Sequence, residues 1–473
     1  MWKARASVRN DPRVGVSGRT EAEEQPSAIP AARIDARRSR IGARGPERSE
    51  RMSCIVESDG SSTRHGYNRL PFSLPIHPRR PFESQEDPLT PETVREEFRR
   101  RFGGEARIFF APGRVNLLGA HLDYNGGPVL PVALPVGTFV AGRRRDDGRF
   151  RFLSRDAPDG LEVRSSGIAP DPAHGWANYP KGAVRMLGER LGDLPGADLL
   201  FASTLPIGAG LSSSASITLG CAWAVNALSG GESSREDLVD VALRAERDFV
   251  GVRCGIMDPY VSAFGRRGHV LHLDCKRRAH EYLPFDEGAF SLLVADTGRR
   301  RGLADSGFNR RVEQCESALA KLREGDPSLA VLADVSPSGL EASRDRLSDE
   351  EERRARHVVE ETARVGEGVE CLRRGDLGRF GALVDASHAS SRDLYGVSSS
   401  ELDRLAEAAR GAGALGARLS GGGFAGCVVA LVPRTGADTI AREVAERYLA
   451  EVGIEPRLRV FSPADGAREW EGA

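Results

Sequence analysis

Apolar and polar positions first fall into a regular pattern near residue 90. Val94 and Phe98 lie four apart behind Thr90, Pro91 and Glu92. That spacing predicts a helix capped by Thr90, with Pro91 at its first position and Glu92 in its first turn. The run Ile108, Phe109, Phe110 within residues 106–112 then predicts a buried strand leading into a loop. Further strands are expected at residues 137–142, 149–153, 198–204, 270–274 and 290–297. Helical spacing occupies 178–191, 211–228, 307–322, 349–373 and 399–409, and a last strand pair is expected at 416–419 and 427–431. The interspersed elements predict α+β or α/β in two lobes.

Before that pattern begins, residues 1–85 are rich in Arg, Ser, Pro and Gly and lack apolar periodicity. They read as a disordered basic N-terminal extension, because too little apolar surface is available to offset the entropy of ordering. Charge supports the division. Residues 1–80 carry 16 Lys and Arg against 9 Asp and Glu, which leaves 51 against 59 in the rest. The net charge of −1 therefore hides a basic segment and a mildly acidic body. Nothing in that body calls for nucleic acid. No apolar run is long enough for a membrane span, and residues 1–10 have no apolar core of a secretory signal. The seven scattered cysteines form no C-x-x-C, so a reducing, cytoplasmic setting is expected.

Residues 205–216, LPIGAGLSSSAS, carry the strongest candidate chemistry. They follow an expected strand and open an expected helix. Gly208 and Gly210 let backbone approach a ligand, and Ser212, Ser213 and Ser214 stand where helical N–H groups are free. A helix start of this kind suits a phosphate chain, and serine hydroxyls there suit magnesium. It is not a Walker loop, since no G-K-[ST] follows the glycines. A Gly-rich turn with a serine cap is the plain alternative. A second glycine stretch, Gly421, Gly422 and Gly423 in LSGGGFAGC, lies between two expected strands; it is either a loose hairpin or part of the same ligand site.

Taken in order, these motifs resemble the galactokinases within the GHMP small-molecule kinases. The resemblance rests on GRVNLLGAHLDYNGG at 113–127, WANYPKG at 176–182, the serine loop, CGIMDPYVSAFG at 254–265, SHASSRDLYGVSSSELD at 387–403 and LSGGGFAGC. It implies a two-lobe α+β fold, with residues 86–288 as the N-terminal lobe, 289–473 as the C-terminal lobe and the active site in the cleft between them. It also implies an ATP- and Mg2+-dependent kinase acting on the anomeric hydroxyl of a sugar. Asp258 matches the catalytic aspartate and Arg114 the arginine beside it. Gly208, Gly210, Leu211, Ser212, Ser213, Ser214 and Ala215 match the nucleotide loop. Glu246 matches the magnesium-binding glutamate, sharing the ion with Ser213 or Ser214. His121 and Asp123 match sugar-binding positions. Asp258 also reads as a helix cap, with Pro259 at the first helical position.

The chain departs from the galactokinase pattern at the expected sugar pocket. Ala120 stands where that family has a glutamate for the sugar's 6-hydroxyl, and Phe308 where it has a sugar-contacting tyrosine. Pro259 stands where glutamine usually follows the catalytic aspartate. Galactose is thus one expected substrate, with galacturonate or L-arabinose as alternatives that do not need the missing glutamate. A non-catalytic sugar sensor is a further alternative, disfavoured because the serine loop, Arg114, Asp258 and Glu246 are all in place. The expected partners are a small sugar and ATP, with no membrane; the oligomeric state is open.

Overall fold

The structure, a computed structural model, describes residues 89–206, 208–299 and 307–471. The extension expected over residues 1–85 lies outside them. The described elements are α1 (Pro91–Phe102), β1 (Arg107–Asn116), β2 (Pro128–Val129), β3 (Pro131–Arg144), β4 (Arg149–Ser154), β5 (Ala157–Arg164), α2 (Asn178–Leu191), β6 (Gly196–Ser203), α3 (Ser213–Leu228), α4 (Arg235–Arg244), α5 (Met257–Phe264) and β7 (His269–Asp274). Then come β8 (Ala279–Pro284), β9 (Phe290–Asp296), α6 (Phe308–Arg323), α7 (Pro337–Ala342), α8 (Asp349–Arg374), α9 (Leu377–Ser390), α10 (Ser400–Gly411), β10 (Gly416–Ser420), β11 (Cys427–Pro433), α11 (Ala437–Val452), β12 (Arg457–Phe461) and β13 (Arg468–Trp470).

The first helix forms as its sequence predicts. Thr90 and Thr93 cap each other's backbone N–H groups at 3.3 and 3.0 Å. Val94 and Phe98 bury against Ile108, Phe110, Phe139 and Leu200. β1 runs four residues beyond the expected strand end at Pro112. The Pro112–Gly113 pair reads as a turn signal, but it falls where the register with β3 shifts between Pro112 and Arg114. A bulge tolerates proline inside a central strand and re-aims the residues after it. A Cβ at Gly113 would meet Leu205 Cδ2 and Leu211 O, each at 2.6 Å, so only glycine lets the serine loop lie against the strand.

Three sheets organise the chain. One has six strands in the order β13-β1-β3-β6-β4-β5, antiparallel except for β4 against β6. A second orders β10-β11-β9-β12, and a third β2-β7-β8. The boundary expected at 288/289 is crossed by the final strand, since Arg468 pairs with Phe110 of β1. Short edge strands such as β5, β8, β12 and β13 escape sequence reading because half-exposed pairing leaves weak alternation. Among the described residues, no helix is long and apolar enough to cross a membrane.

The two glycine loops, separated by about 200 residues of chain, touch. A Cβ on Gly210 would lie 2.8 Å from Ser420 O, and one on Gly421 would lie 2.7 Å from Gly210 O. Both glycines have positive φ, +75° and +79°. Neither contact admits a side chain, so the β10–β11 turn is seated on the serine loop. Gly210→Ala is expected to cost about 1–3 kcal/mol, read as a lower urea midpoint. Gly230→Ala is the control, because Gly230 has φ +72° with nothing within 4 Å of its Cβ position; a shift no larger than the control's would remove the loop contact as a stabilising feature.

Candidate active site

The serine loop leaves β6 and enters α3 with Gly208 and Gly210 at φ +71° and +75° and Ser212 at φ +60°. A non-glycine residue in the left-handed region is uncommon and needs surrounding support. Here it carries the Ser212 hydroxyl away from the helix start, where no side chain caps α3. Ser212 Oγ instead donates to Asp258 Oδ2 at 2.5 Å. The first N–H groups of α3 are thereby left for an anion. Leu211 and Ala215 bury their side chains, so they serve packing there. Ser216 Oγ donates to Ala111 O at 2.7 Å and ties α3 to β1.

Arg114, immediately after the bulge, is the hub of this region. Its Nε and one terminal nitrogen donate to Asp258 Oδ1 and Oδ2, each at 2.7 Å. The other terminal nitrogen donates to Gly210 O at 2.8 Å, and its backbone N–H to Leu211 O at 3.2 Å. Asp258 lies inside the first turn of α5, which begins at Met257, one residue before Asp258 and two before the Pro259 start read from the sequence. The aspartate therefore does not cap the helix; Arg114 and Ser212 take up its oxygens.

Glu246 lies on a π-helical turn, Ala245–Val250, that follows α4. Turns of this kind widen the helix and recur at functional sites. Of the two candidate serines, Ser214 faces it, with Oγ donating to Glu246 Oε2 at 3.2 Å. Glu246 Oε1 is buried without a partner. Burial, then the nearby charge of Asp258, pushes this carboxyl up to about 8. A buried carboxylate oxygen beside a hydroxyl is a donor set for a hard cation.

The segment after β1 turns sharply. Gly119 has φ +93° and His121 φ +57°. Asp123 follows at a 3-10 turn, with its carboxyl against Gly255; a Cβ there would come within 1.9 Å of Asp123 Oδ2. Burial, then the charge of Asp258, raises Asp123 to about 6, although Arg114 and Arg247 oppose the shift. His121 is buried, and burial followed by nearby positive groups holds it well below its ordinary value, so it is neutral. Its Nδ1 pairs with Tyr124 Oη at 2.9 Å, while its Nε2 is buried without a partner. Phe308, at the start of α6, brings its ring 5.9 Å from His121 and 5.5 Å from Tyr124. Ala120 is 2% exposed.

Several neighbours of this turn were not singled out from the sequence, although Tyr395 lies within the 387–403 motif. Glu361 and His357 of α8 contact the Ala120 backbone, and Tyr395 stacks on His121 at 4.6 Å between ring centres. Arg418 of β10 is buried with Nε and one terminal nitrogen unpartnered, and burial brings it down to about 10. The usable hint was polar residues at i, i+4 on the apolar face of α8. Gly421, Gly422 and Gly423 enter the site region through the contact of Gly421 with Gly210.

Comparison with known proteins identifies the family. The family model for the galactokinase galactose-binding signature matches residues 96–144, the GHMP kinases N terminal domain 178–266, and the GHMP kinases C terminal domain 369–450. A galactokinase of Exiguobacterium sibiricum is 40% identical over 81% of this chain and 99% of its own length. A galactokinase of Halalkalibacterium halodurans is 39% identical over 78% and 94%. The crystal structure of Lactococcus lactis galactokinase complexed with galactose superposes with a TM-score of 0.77 at 32% identity, covering 80% of this chain and 99% of that one. A mevalonate kinase of Methanococcus jannaschii shares the fold at TM-score 0.57 and 18% identity, over 76% and 99% of the two chains. With its α+β architecture and its matches along most of the described chain, this protein belongs to the galactokinase family of the GHMP kinases.

Proposed function

We propose that the chain transfers the γ-phosphoryl group of ATP to the anomeric hydroxyl of a galacto-configured sugar, with galactose as the leading substrate. The observation that carries the reading is the convergence of Arg114, Ser212 and the uncapped start of α3 on Asp258. The α3 N-terminus receives phosphate oxygens, and Arg114 offsets charge that develops on the transferring group. Three donors already occupy the Asp258 carboxylate, which leaves room for one more. That favours a carboxylate that orients the sugar hydroxyl over one that must abstract its proton early, in keeping with a loose phosphoryl transition state. Glu246 and Ser214 would hold Mg2+, whose chemistry is to neutralise phosphate charge. His121 Nε2 and Asp123 are left to meet sugar hydroxyls. Galactose leads because the Lactococcus lactis relative was crystallised with it and the curated relatives are named for it.

A second reading, galacturonate, is favoured by Ala120. Alanine removes one carboxylate from the expected corner of the sixth carbon, and the charges of Arg418 and Arg311, opposed by that of Glu361, act on the adjoining His121. Such a corner accepts a uronate that an acidic side chain would repel.

Assays of purified protein with ATP and each sugar separate the two readings. Galactose is expected to give the higher kcat/KM; galacturonate turnover well above it would overturn the galactose assignment. Ala120→Glu should shift preference further toward galactose, and an unchanged ratio would remove Ala120 from the specificity argument. Asp258→Ala is expected to lower kcat at least about 100-fold while calorimetry still detects MgATP binding. A wild type that binds sugar yet never forms ADP would make the protein a sensor instead.

The pH dependence follows from Asp123. Its ionised form only accepts, as paired sugar hydroxyl donors require, whereas protonation turns one oxygen into a donor; its folded value lies near 6. With MgATP saturating, kcat/KM for the sugar should fall about tenfold per pH unit below that value. Asp123→Asn should flatten this limb as it lowers activity; an unchanged limb would assign the titration to another group.

A further inference from the structure

The turn that presents His121 is held from behind by one helix. Gly119 N–H and Ala120 N–H both donate to Glu361 Oε1 at 2.9 Å. Ser387 Oγ donates to the same oxygen at 2.6 Å, and Arg364 Nε to Oε2 at 2.7 Å. One turn earlier on α8, His357 Nε2 lies 3.0 Å from Ala120 O and its Nδ1 2.8 Å from Ser390 Oγ. A carbonyl only accepts, so the His357 proton sits on Nε2 and Nδ1 accepts from the serine. Every polar backbone group from Gly119 N to Ala120 O is thereby bound to α8, apart from Gly119 O, which accepts from Leu122 N–H at 3.3 Å.

Such a clamp is what the local backbone requires. His121 adopts φ +57°, a conformation an L residue keeps only when its surroundings impose it. Asn125 Nδ2 holds His121 O at 2.8 Å on the other side. The ring of Tyr395 lies 4.6 Å from the His121 ring and 4.5 Å from that of His357. Tyr395 Oη also meets Tyr124 Oη at 2.8 Å, which in turn meets His121 Nδ1. One ring face and Nδ1 of His121 are thus engaged, and Nε2 is the atom left over, buried and unpartnered.

We infer that Glu361 and His357 are positioning residues: they hold the Gly119–Ala120–His121 turn so that His121 Nε2 is presented to the sugar. The inference rests on the sugar-kinase reading, and it extends the specificity apparatus from the signature segment to a helix more than 200 residues later in the chain. Both act through the backbone of the turn. Their effect is confined to the sugar side, because the serine loop and Arg114 are supported by separate contacts.

His357→Phe keeps an aromatic ring beside Tyr395 and removes both hydrogen bonds. It should raise KM for the sugar by about tenfold or more and leave KM for ATP unchanged. His357→Gln, which can still donate to Ala120 O, should recover most of the wild-type value. A folded His357→Phe protein with wild-type sugar KM, or a Gln variant as impaired as the Phe variant, overturns the inference. Should the Phe variant not fold, Glu361→Gln decides, since it weakens the acceptor for the two N–H groups; a wild-type sugar KM there overturns the inference. Histidine 15N NMR of the resting protein separates this from the kinase reading. A wild type that phosphorylates no sugar sinks the kinase reading alone, whereas an Nδ1–H tautomer of His357 sinks the clamp whatever the activity.

Discussion

The paired hydrogen bonds between Arg114 and Asp258 are the interaction on which the site depends. One guanidinium joins three parts of the chain: the strand after the β1 bulge, the carbonyl of Gly210 in the serine loop, and the first turn of α5. Arg114 is 4% exposed, so its charge is compensated at short range and weakly screened. The planar guanidinium permits this double contact with fixed geometry, which a lysine would not reproduce. Its position in turn depends on the bulge at Gly113, since the register shift aims the side chain that follows.

Around that pair, the architecture works by close backbone approach. Gly113, Gly210 and Gly421 each stand where a Cβ would strike another segment's main chain. The serine loop is consequently compressed between β1 on one side and the β10–β11 turn on the other. A loop held on two sides can keep Ser212 in a left-handed conformation and its hydroxyl on Asp258. The charges are organised to the same end. Asp123, Glu246 and Asp258 stand close enough for the charge of Asp258 to raise the other two carboxyls. An enclosed acidic cluster of this kind is balanced by Arg114 and, in the proposed reaction, by a cation.

Much of the fold was legible from periodicity because its central elements are strongly patterned. The α2 and β4 segments, α8 and the β10–β11 pair lie where apolar spacing places them, within a residue or two. The failures have specific causes. Pro112–Gly113 reads as the end of a strand, because a turn and a bulge share the same residues. Met257 starts α5 without a capping side chain, so Asp258 looked like its boundary. At the site, resemblance named Arg114, Asp258, Glu246, His121, Asp123 and the serine loop. It could not choose between Ser213 and Ser214, since residues one apart on a helix point in directions about 100° apart and only the neighbour decides. Glu361 and His357 were illegible as site residues, because a polar side chain on a buried helix face has the same pattern whatever it bonds; Tyr395 lay within the 387–403 motif without being singled out.

The amino-acid sequence by itself determined the family, the strongly patterned helices and strands, and the inventory of chemical groups. These follow from local propensity, apolar periodicity and short ordered motifs, all of which are written along the chain. Tertiary structure decided which of those groups meet: the seating of one glycine loop on the other, the choice of Ser214 to face Glu246, the engagement of Ser212 with Asp258 in place of the helix end, and the hold of α8 on the turn at Ala120. Each is a contact between segments tens to hundreds of residues apart. Its existence depends on distances of a few tenths of an ångström, set by packing and unsatisfied backbone groups, which spacing along the sequence does not encode.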